Sequence, residues 1–185
     1  LDNVLEFTKT RWRNEAESKG VRVAVQKDYG AIPHTPGSAS ELREVFTNLI
    51  NNALDAMPDG GMISIKTARD NHHIILTIAD TGVGIPAAIR NRIFDPFFTT
   101  KGVRSTGLGM SISHNIIERH KGSILVESEE GRGTVFTIHL PICEKAGQEK
   151  PAAAPAAASG KKARILIIED EEEIRQLLRD IVISQ

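Results

Sequence analysis

One cysteine, one tryptophan and one tyrosine occur in the 185 residues. The lone Cys143 excludes an internal disulfide and any cysteine-clustered zinc site, and it fits a reducing, cytoplasmic setting. Aromatics make up only 4% of the chain, six of them phenylalanine, so any core must be built mainly from aliphatic side chains. No apolar run approaches the 18 or so residues of a membrane span, and no charged-then-apolar leader opens the sequence. Membrane contact by these residues is therefore not expected, whatever anchors the parent protein. An excess of positive charge is also missing: 23 basic against 24 acidic residues leave a formal charge of −1. That argues against a nucleic-acid binder, whose phosphate-tracking surface leaves a clear basic surplus. What remains, 40% hydrophobic and 25% charged, suffices for one well-packed domain with a little over. The chain starts at Leu1 and stops in mid-pattern at Gln185, so it reads as a piece of something larger.

Periodicity predicts an α+β unit. Residues 1–18 place Leu1, Val4, Leu5, Phe7 and Trp12 at helical spacing, and Gly20 stops them. Val21, Val23 and Val25 alternate as a half-buried strand does. After the loop Ile32-Pro33-His34-Thr35-Pro36-Gly37, Ser38 or Ser40 caps a helix over 41–57. Its apolar residues Leu42, Val45, Phe46, Leu49, Ile50, Ala53, Leu54 and Met57 recur at three and four. Two alternating runs, 62–67 and 73–78, flank Asp70-Asn71 and predict a hairpin. A short helix over 87–93, an aperiodic segment over 95–109, a helix over 110–120 and strands over 123–127 and 134–140 follow. The order gives a two-layer sandwich, a mostly antiparallel sheet with helices on one face. Residues 145–160, with Pro151-Ala-Ala-Ala-Pro155, hold no side chain able to build a core and read as a linker. Beyond it, Ile165-Leu166-Ile167-Ile168 has the continuity of a buried parallel strand and leads into Glu169-Asp170-Glu171 and an amphipathic helix.

Three features carry chemistry. Gly82-Val83-Gly84-Ile85-Pro86-Ala87 fits a permissive dinucleotide fingerprint, yet Asp80 stands where a carboxylate repels a pyrophosphate. The same carboxylate suits a donor such as an adenine amino group, and the glycines let a base lie close to the backbone. Gly102 and Gly107 have P-loop spacing, but Leu108 occupies the lysine position. Within the helix over 41–57, Glu44, Asn48, Asn52 and Asp55 or Ala56 stack along one polar edge. The plain alternative is a solvated face. Against it, asparagine forms helices poorly, and its amide oxygen suits a magnesium ion carrying phosphate oxygens. Finally, Ser105-Thr106-Gly107-Leu108-Gly109-Met110-Ser111 sets glycines before a helix, whose free N–H groups and dipole favour an anion. The segment 99–106, with Lys101 and Arg104, reads as a mobile cationic lid.

In family order, Asn48-Leu-Ile-Asn51-Asn52-Ala53 resembles an N box and Asp80-Thr81-Gly82-Val83-Gly84 a first glycine box. Phe94-Asp95-Pro96-Phe97-Phe98-Thr99-Thr100-Lys101 is similar to an F box. Thr106-Gly107-Leu108-Gly109-Met110 and Gly131-Arg132-Gly133-Thr134 complete the set. Together they resemble the ATP-binding domain of sensor histidine kinases, within the superfamily of gyrase, heat-shock chaperone and mismatch-repair ATPases. The form Phe-Phe-Thr-Thr-Lys particularly resembles the nitrogen-regulator type. The resemblance covers about residues 1–141 and implies ATP with Mg²⁺. Asn52 is implied as metal ligand, and Asn48, Asn52 and Lys101 as the catalytic set. Asp80 and Thr134 are implied at adenine. Asp55, Gly82, Gly84, Ile85, Phe94, Phe98, Thr99 and Thr100 would line the nucleotide, and Gly107, Leu108, Gly109 and Met110 would join Lys101 on the triphosphate.

The tail resembles the start of a response-regulator receiver, implying that Glu169 and Asp170 hold a second magnesium. The domains are then 1–143, a linker over 144–160 and a truncated receiver over 161–185. The implied partners are ATP, a histidine-bearing dimerisation domain of the same parent, and a receiver or response regulator. None of His34, His72, His73, His114, His120 or His139 stands in a His-Glu/Asp acceptor setting, so the acceptor lies elsewhere. His34 reads as loop surface and the other five as structural or exposed. Two other readings stay open. A hydrolysing clamp of the gyrase or chaperone kind places a glutamate one turn before the magnesium asparagine, where this chain has Asn48. A nucleotide-binding module inactive in isolation is the other.

Overall fold

The computed structural model describes residues 1–9, 20–102 and 106–142. Trp12 and the rest of the first predicted helix, Arg104, Ser105, Cys143, the linker, and the predicted receiver with Glu169 and Asp170 lie outside the described residues.

The elements run α1 (Asp2–Lys9), β1 (Val23–Tyr29), α2 (Ala39–Asp55), β2 (Gly61–Arg69), β3 (His73–Asp80), α3 (Ala87–Arg90), α4 (Gly109–Arg119), β4 (Ser123–Glu129) and β5 (Gly133–Pro141). Five strands form one sheet in the order β1-β2-β3-β5-β4. Only β1 and β2 are parallel, because α2 crosses between them; the other pairings are antiparallel. The predicted mostly antiparallel sandwich is what the chain forms.

Alternation in the strands decides which face is covered. Ile63 and Ile65 of β2, Ile78 of β3 and Ile138 of β5 point to one side and are almost fully buried. Against them lie Val45, Leu49 and Ile50 of α2, Ile116 and Ile117 of α4, and Val4 and Leu5 of α1. Each such aliphatic side chain contributes roughly 1.5–3 kcal/mol by leaving water. Aliphatics thus supply the core that the scarcity of aromatics requires.

Three predicted boundaries shift. The first strand starts at Val23, since Arg22 C=O already accepts from Gly61 N–H at 3.1 Å and Gly20 turns the chain at φ +70°. Ser38 is the cap of α2, its Oγ accepting from Glu41 N–H at 3.4 Å, so the helix covers 39–55. The helix expected over 87–93 is only four residues long. Past Arg90 the chain makes three-residue turns, Arg92 N–H to Ile89 C=O and Asp95 N–H to Arg92 C=O. Pro96 disfavours helical backbone at Asp95, and the turns bring the Phe94 ring to 5.1 Å from that of His114 on α4.

Of the histidines, His34 is exposed in its loop, as read. His120 is buried at the end of α4. Its Nδ1–H donates to Ile116 C=O at 2.8 Å, which leaves Nε2 to accept from Ser38 N–H at 2.9 Å. One ring therefore joins the C-terminal end of α4 to the N-cap of α2, with Arg119–Glu41 at 2.8 Å beside it. The two helices run antiparallel from this joint toward the site.

Candidate functional site

Of the polar edge of α2, Asn48 and Asn52 face α4, whereas Glu44 and Asp55 are exposed. Asn48 Nδ2 donates to Gly109 C=O and to Ser113 Oγ, each at 3.3 Å, and Asn52 Nδ2 reaches Met110 Sδ at 3.0 Å. Both asparagines are partly buried. Their amide nitrogens are committed to the helix pair, which turns the Asn52 oxygen outward to the loop that follows Phe98. There Lys101 Nζ lies 2.8 Å from Asn52 Oδ1 and 2.7 Å from Asp55 Oδ2. Two oxygens one helical turn apart thus converge on a single cation. A hard-oxygen pair already gathered around a positive charge fits what a Mg²⁺ ion accompanying phosphate needs.

The loop above this point is built on strain. Phe97 has a left-handed backbone, φ 66°, and the residue is 74% exposed. Gly107, φ +68°, presses on the Phe97 main chain so closely that a Cβ would stand 2.5 Å from its carbonyl carbon. Phe98 lies under the Arg92 guanidinium at 4.5 Å, and Thr99 Oγ1 accepts from Lys101 N–H at 3.1 Å. Thr100 is exposed, with no hydrogen bond assigned to it among the described residues. The expected lid is thus tethered at Lys101 among the described residues; Arg104 and Ser105 lie outside them. Next along the chain, Leu108 occupies the N-cap of α4 with no side-chain acceptor to offer, so the terminal N–H groups of this eleven-residue helix keep their capacity to bind an anion.

Asp80 closes β3, at the end of the sheet nearest the C-terminus of α2. It is 8% exposed, and its Oδ1 accepts from Gly82 N–H at 2.9 Å and Thr134 N–H at 3.3 Å. Burial pushes its carboxyl above the usual carboxylate range, and the two backbone donors pull it partly back. Gly82 sits against α2, where a Cβ would approach Ala56 C=O to 2.5 Å, and Val83 N–H donates to that carbonyl at 2.9 Å. The turn is thereby fastened to the same helix that carries Asn52. Ile85 N–H donates to Ser128 Oγ at 2.8 Å, and Ser128 Oγ is 3.0 Å from Thr134 Oγ1. Asp80, Arg90, Ser128 and Thr134 belong to the lining of a cleft of about 630 Å³.

The residues expected at the site thus form two groups linked through α2. Asn48, Asn52, Asp55, Lys101, Gly109 and Met110 make one, and Asp80, Gly82, Ile85 and Thr134 the other. Phe94 belongs to neither by direct polar contact and packs on α4. The sequence reading missed Ser113 and Ser128. Each sits at the polar end of an otherwise apolar period, α4 and β4 respectively, a signal too common among serines to single them out.

This fold and site define a class. A family profile described as histidine kinase-, DNA gyrase B- and HSP90-like ATPase matches residues 37–144, and the chain belongs to that family. Among curated proteins it is 43% identical over 120 residues to sporulation kinase E of Bacillus subtilis, covering 64% of this chain and 16% of that protein. It is 30% identical over 179 residues to the virulence sensor protein BvgS of Bordetella bronchiseptica, covering 89% of this chain and 14% of that protein. Among solved structures, full-length ShkA in complex with AMPPNP matches at a TM-score of 0.65 and 25% identity, over 76% of this chain and 28% of that one. The chain therefore spans about a sixth of the length of such curated relatives. It is an ATPase domain of the histidine-kinase type. Among the described residues no helix is long and apolar enough to cross a membrane.

Proposed function

We propose that residues 1–143 are the ATP-binding catalytic domain of a sensor histidine kinase, which transfers the γ-phosphoryl group of ATP to a histidine on a dimerisation domain of the same parent. The observation that carries this reading is Asn48. A hydrolysing clamp needs a general base at that place, one turn before the metal asparagine. Here the position holds an amide whose nitrogen is bonded to Gly109 C=O and Ser113 Oγ, and an amide cannot take a proton from water.

In this reading Asp80 receives the adenine amino group on the carboxylate oxygen that Gly82 and Thr134 do not use, which favours adenine over guanine. Thr134, Ile85 and the flanking glycines Gly82 and Gly84 shape the base pocket. The terminal N–H groups of α4, from Gly109 onward, face the phosphates behind Gly107 and Leu108. Asn52, with Asp55 beside it, holds the magnesium that comes with the nucleotide. That ion, when bound, neutralises phosphate charge. Lys101 supplies positive charge from the lid side, and Phe98, Thr99 and Thr100 position it. Little covalent work is asked of the protein, because phosphoryl transfer depends on alignment and charge compensation.

The remainder, 161–185, we assign to the start of a receiver domain joined by the linker over 144–160, with Glu169 and Asp170 at its acidic pocket. What supports this is the sequence itself, the continuous apolar run Ile165-Leu166-Ile167-Ile168 followed at once by Glu169-Asp170-Glu171.

The test is incubation with γ-labelled ATP and Mg²⁺, with and without a separately made dimerisation domain from the same parent. Label should appear on that domain and depend on Asn52, vanishing in Asn52→Ala. Rapid phosphate release without the acceptor domain would instead mark a hydrolase, and labelling indifferent to Asn52→Ala would remove the proposed metal ligand.

A further inference from the structure

Ser128 Oγ meets three polar atoms and has a single proton to give. Ile85 N–H donates to it at 2.8 Å, Gly133 C=O stands at 2.9 Å and Thr134 Oγ1 at 3.0 Å. A carbonyl oxygen carries no proton, so the Gly133 contact is a hydrogen bond only if Ser128 donates there. The Thr134 contact is then a hydrogen bond only if Thr134 donates. Any other assignment sets two bare oxygens face to face at 2.9 or 3.0 Å. Thr134 Oγ1 has no second hydrogen-bond partner among the described residues, so what it offers to the cleft it lines is its lone pairs. We propose that Ser128 is a positioning residue that takes the Thr134 hydroxyl proton, and that Thr134 and the unused Asp80 oxygen thereby form a pair of acceptors that selects a base with a primary amino group. The inference rests on the nucleotide-binding reading above and adds a specificity determinant to it.

Register supplies the spacing. Asp80 and Thr134 are direct partners across β3 and β5, and directly opposite residues hold their Cβ atoms about 4.5–5.5 Å apart. Two acceptors that each lie about 2.9 Å from one amino nitrogen, about 120° apart, stand about 5 Å from each other. An NH₂ group thus meets the pair with both of its hydrogens, whereas a ring carbonyl in the same place faces two acceptors and bonds to neither. A Thr134 hydroxyl free to turn could donate to that carbonyl, and the distinction would weaken. The ionised carboxylate of Asp80 has no proton to offer, so the hydroxyl is the member of the pair that needs fixing. Its anchor is held from two segments of chain, by Ile85 N–H in the turn after Asp80 and by Gly133 C=O at the start of β5.

The quantity to measure is the ratio of dissociation constants of non-hydrolysable inosine and adenosine triphosphate analogues, titrated in saturating Mg²⁺ on the full 185-residue chain. Hypoxanthine carries a carbonyl where adenine carries the amino group. Ser128→Ala should lower the ratio by about fivefold, the worth of one neutral hydrogen bond, because the freed hydroxyl then donates to the carbonyl. Ser128→Thr, which keeps a hydroxyl in place, should hold the wild-type ratio. Thr134→Val should also lower the ratio, and adding Ser128→Ala to it should change nothing more. Loss of the Ile85 tether by itself weakens both analogues alike, so a ratio unmoved in Ser128→Ala overturns the positioning role. An unmoved ratio in Thr134→Val overturns the acceptor pair, and a further fall when Ser128→Ala is added to it overturns the route through Thr134. A wild-type chain that binds neither analogue overturns the nucleotide reading beneath the inference.

Discussion

Asp80 combines burial with a half-used carboxylate, and that combination has measurable consequences. In Asp80→Asn an oxygen can still accept from Gly82 and Thr134, but an NH₂ group replaces the oxygen offered to adenine. ATP-analogue binding should weaken more than tenfold, about 1.4 kcal/mol or more, in a calorimetric titration, with no loss of folding. Stability should respond to pH with a definite sign. The folded carboxyl titrates above its unfolded value of 3.8 because burial disfavours its charge. Its contribution is therefore fully present below the unfolded pKa and is lost as pH rises through the raised folded one. The melting temperature of Asp80→Asn, relative to wild type, should climb over that interval. A flat difference across the acid range would show that desolvation does not govern this group. Asp80 and Asn52 were legible in the sequence because each is a polar residue in a pattern that does not otherwise need one, and Lys101 through its charge and the family resemblance of the aperiodic segment that holds it. The bonds of Asn48 across to Gly109 and Ser113 were not, because partners 61 and 65 residues away leave no mark on local periodicity.

At the scale of elements, the strands and the two long helices could be read from spacing, since burial on one face imposes it. The short helix after Pro86 could not be sized. Local pattern continues to Ile93, but the proline at 96 and the pull of α4 on Phe94 decide where the chain turns. The aperiodic stretch proved informative by its lack of period: Phe97 and Gly107 both take left-handed backbone, which no helix or strand uses. Gly107→Ala tests how far α4 depends on that junction. The added methyl meets the Phe97 main chain and the backbone is held at φ +68°, so a cost of about 1–3 kcal/mol is expected. Circular dichroism should report the lower melting point, and analogue affinity should fall with it. Wild-type stability in Gly107→Ala would mean that the loop relaxes and the contact is incidental.

Taken as a whole molecule, the domain draws its candidate ligand groups from both layers, Asn52, Asp55 and Gly109 from the helices and Asp80 and Thr134 from the sheet. Binding there should act on global stability by mass action. Mg²⁺ with the non-hydrolysable analogue at 100 times its dissociation constant should add about 2.7 kcal/mol, read from denaturant unfolding. Asn52→Ala at the same concentrations should lose most of that gain. An equal gain in Asn52→Ala would place the stabilisation away from the metal end. The joint at His120 bears on how the layer responds. It pins α2 and α4 to each other at the ends far from Asn52 and Gly109. Sliding α4 along α2 would break this joint, whereas a pivot about it would strain only the bonds of Asn48 and Asn52 at the phosphate end. Over the length of α4, about 16 Å for its eleven residues, a tilt of roughly 5° carries the terminal amides through about 1.4 Å. The buried imidazole is the fulcrum of a lever whose long arm ends where nucleotide charge would sit.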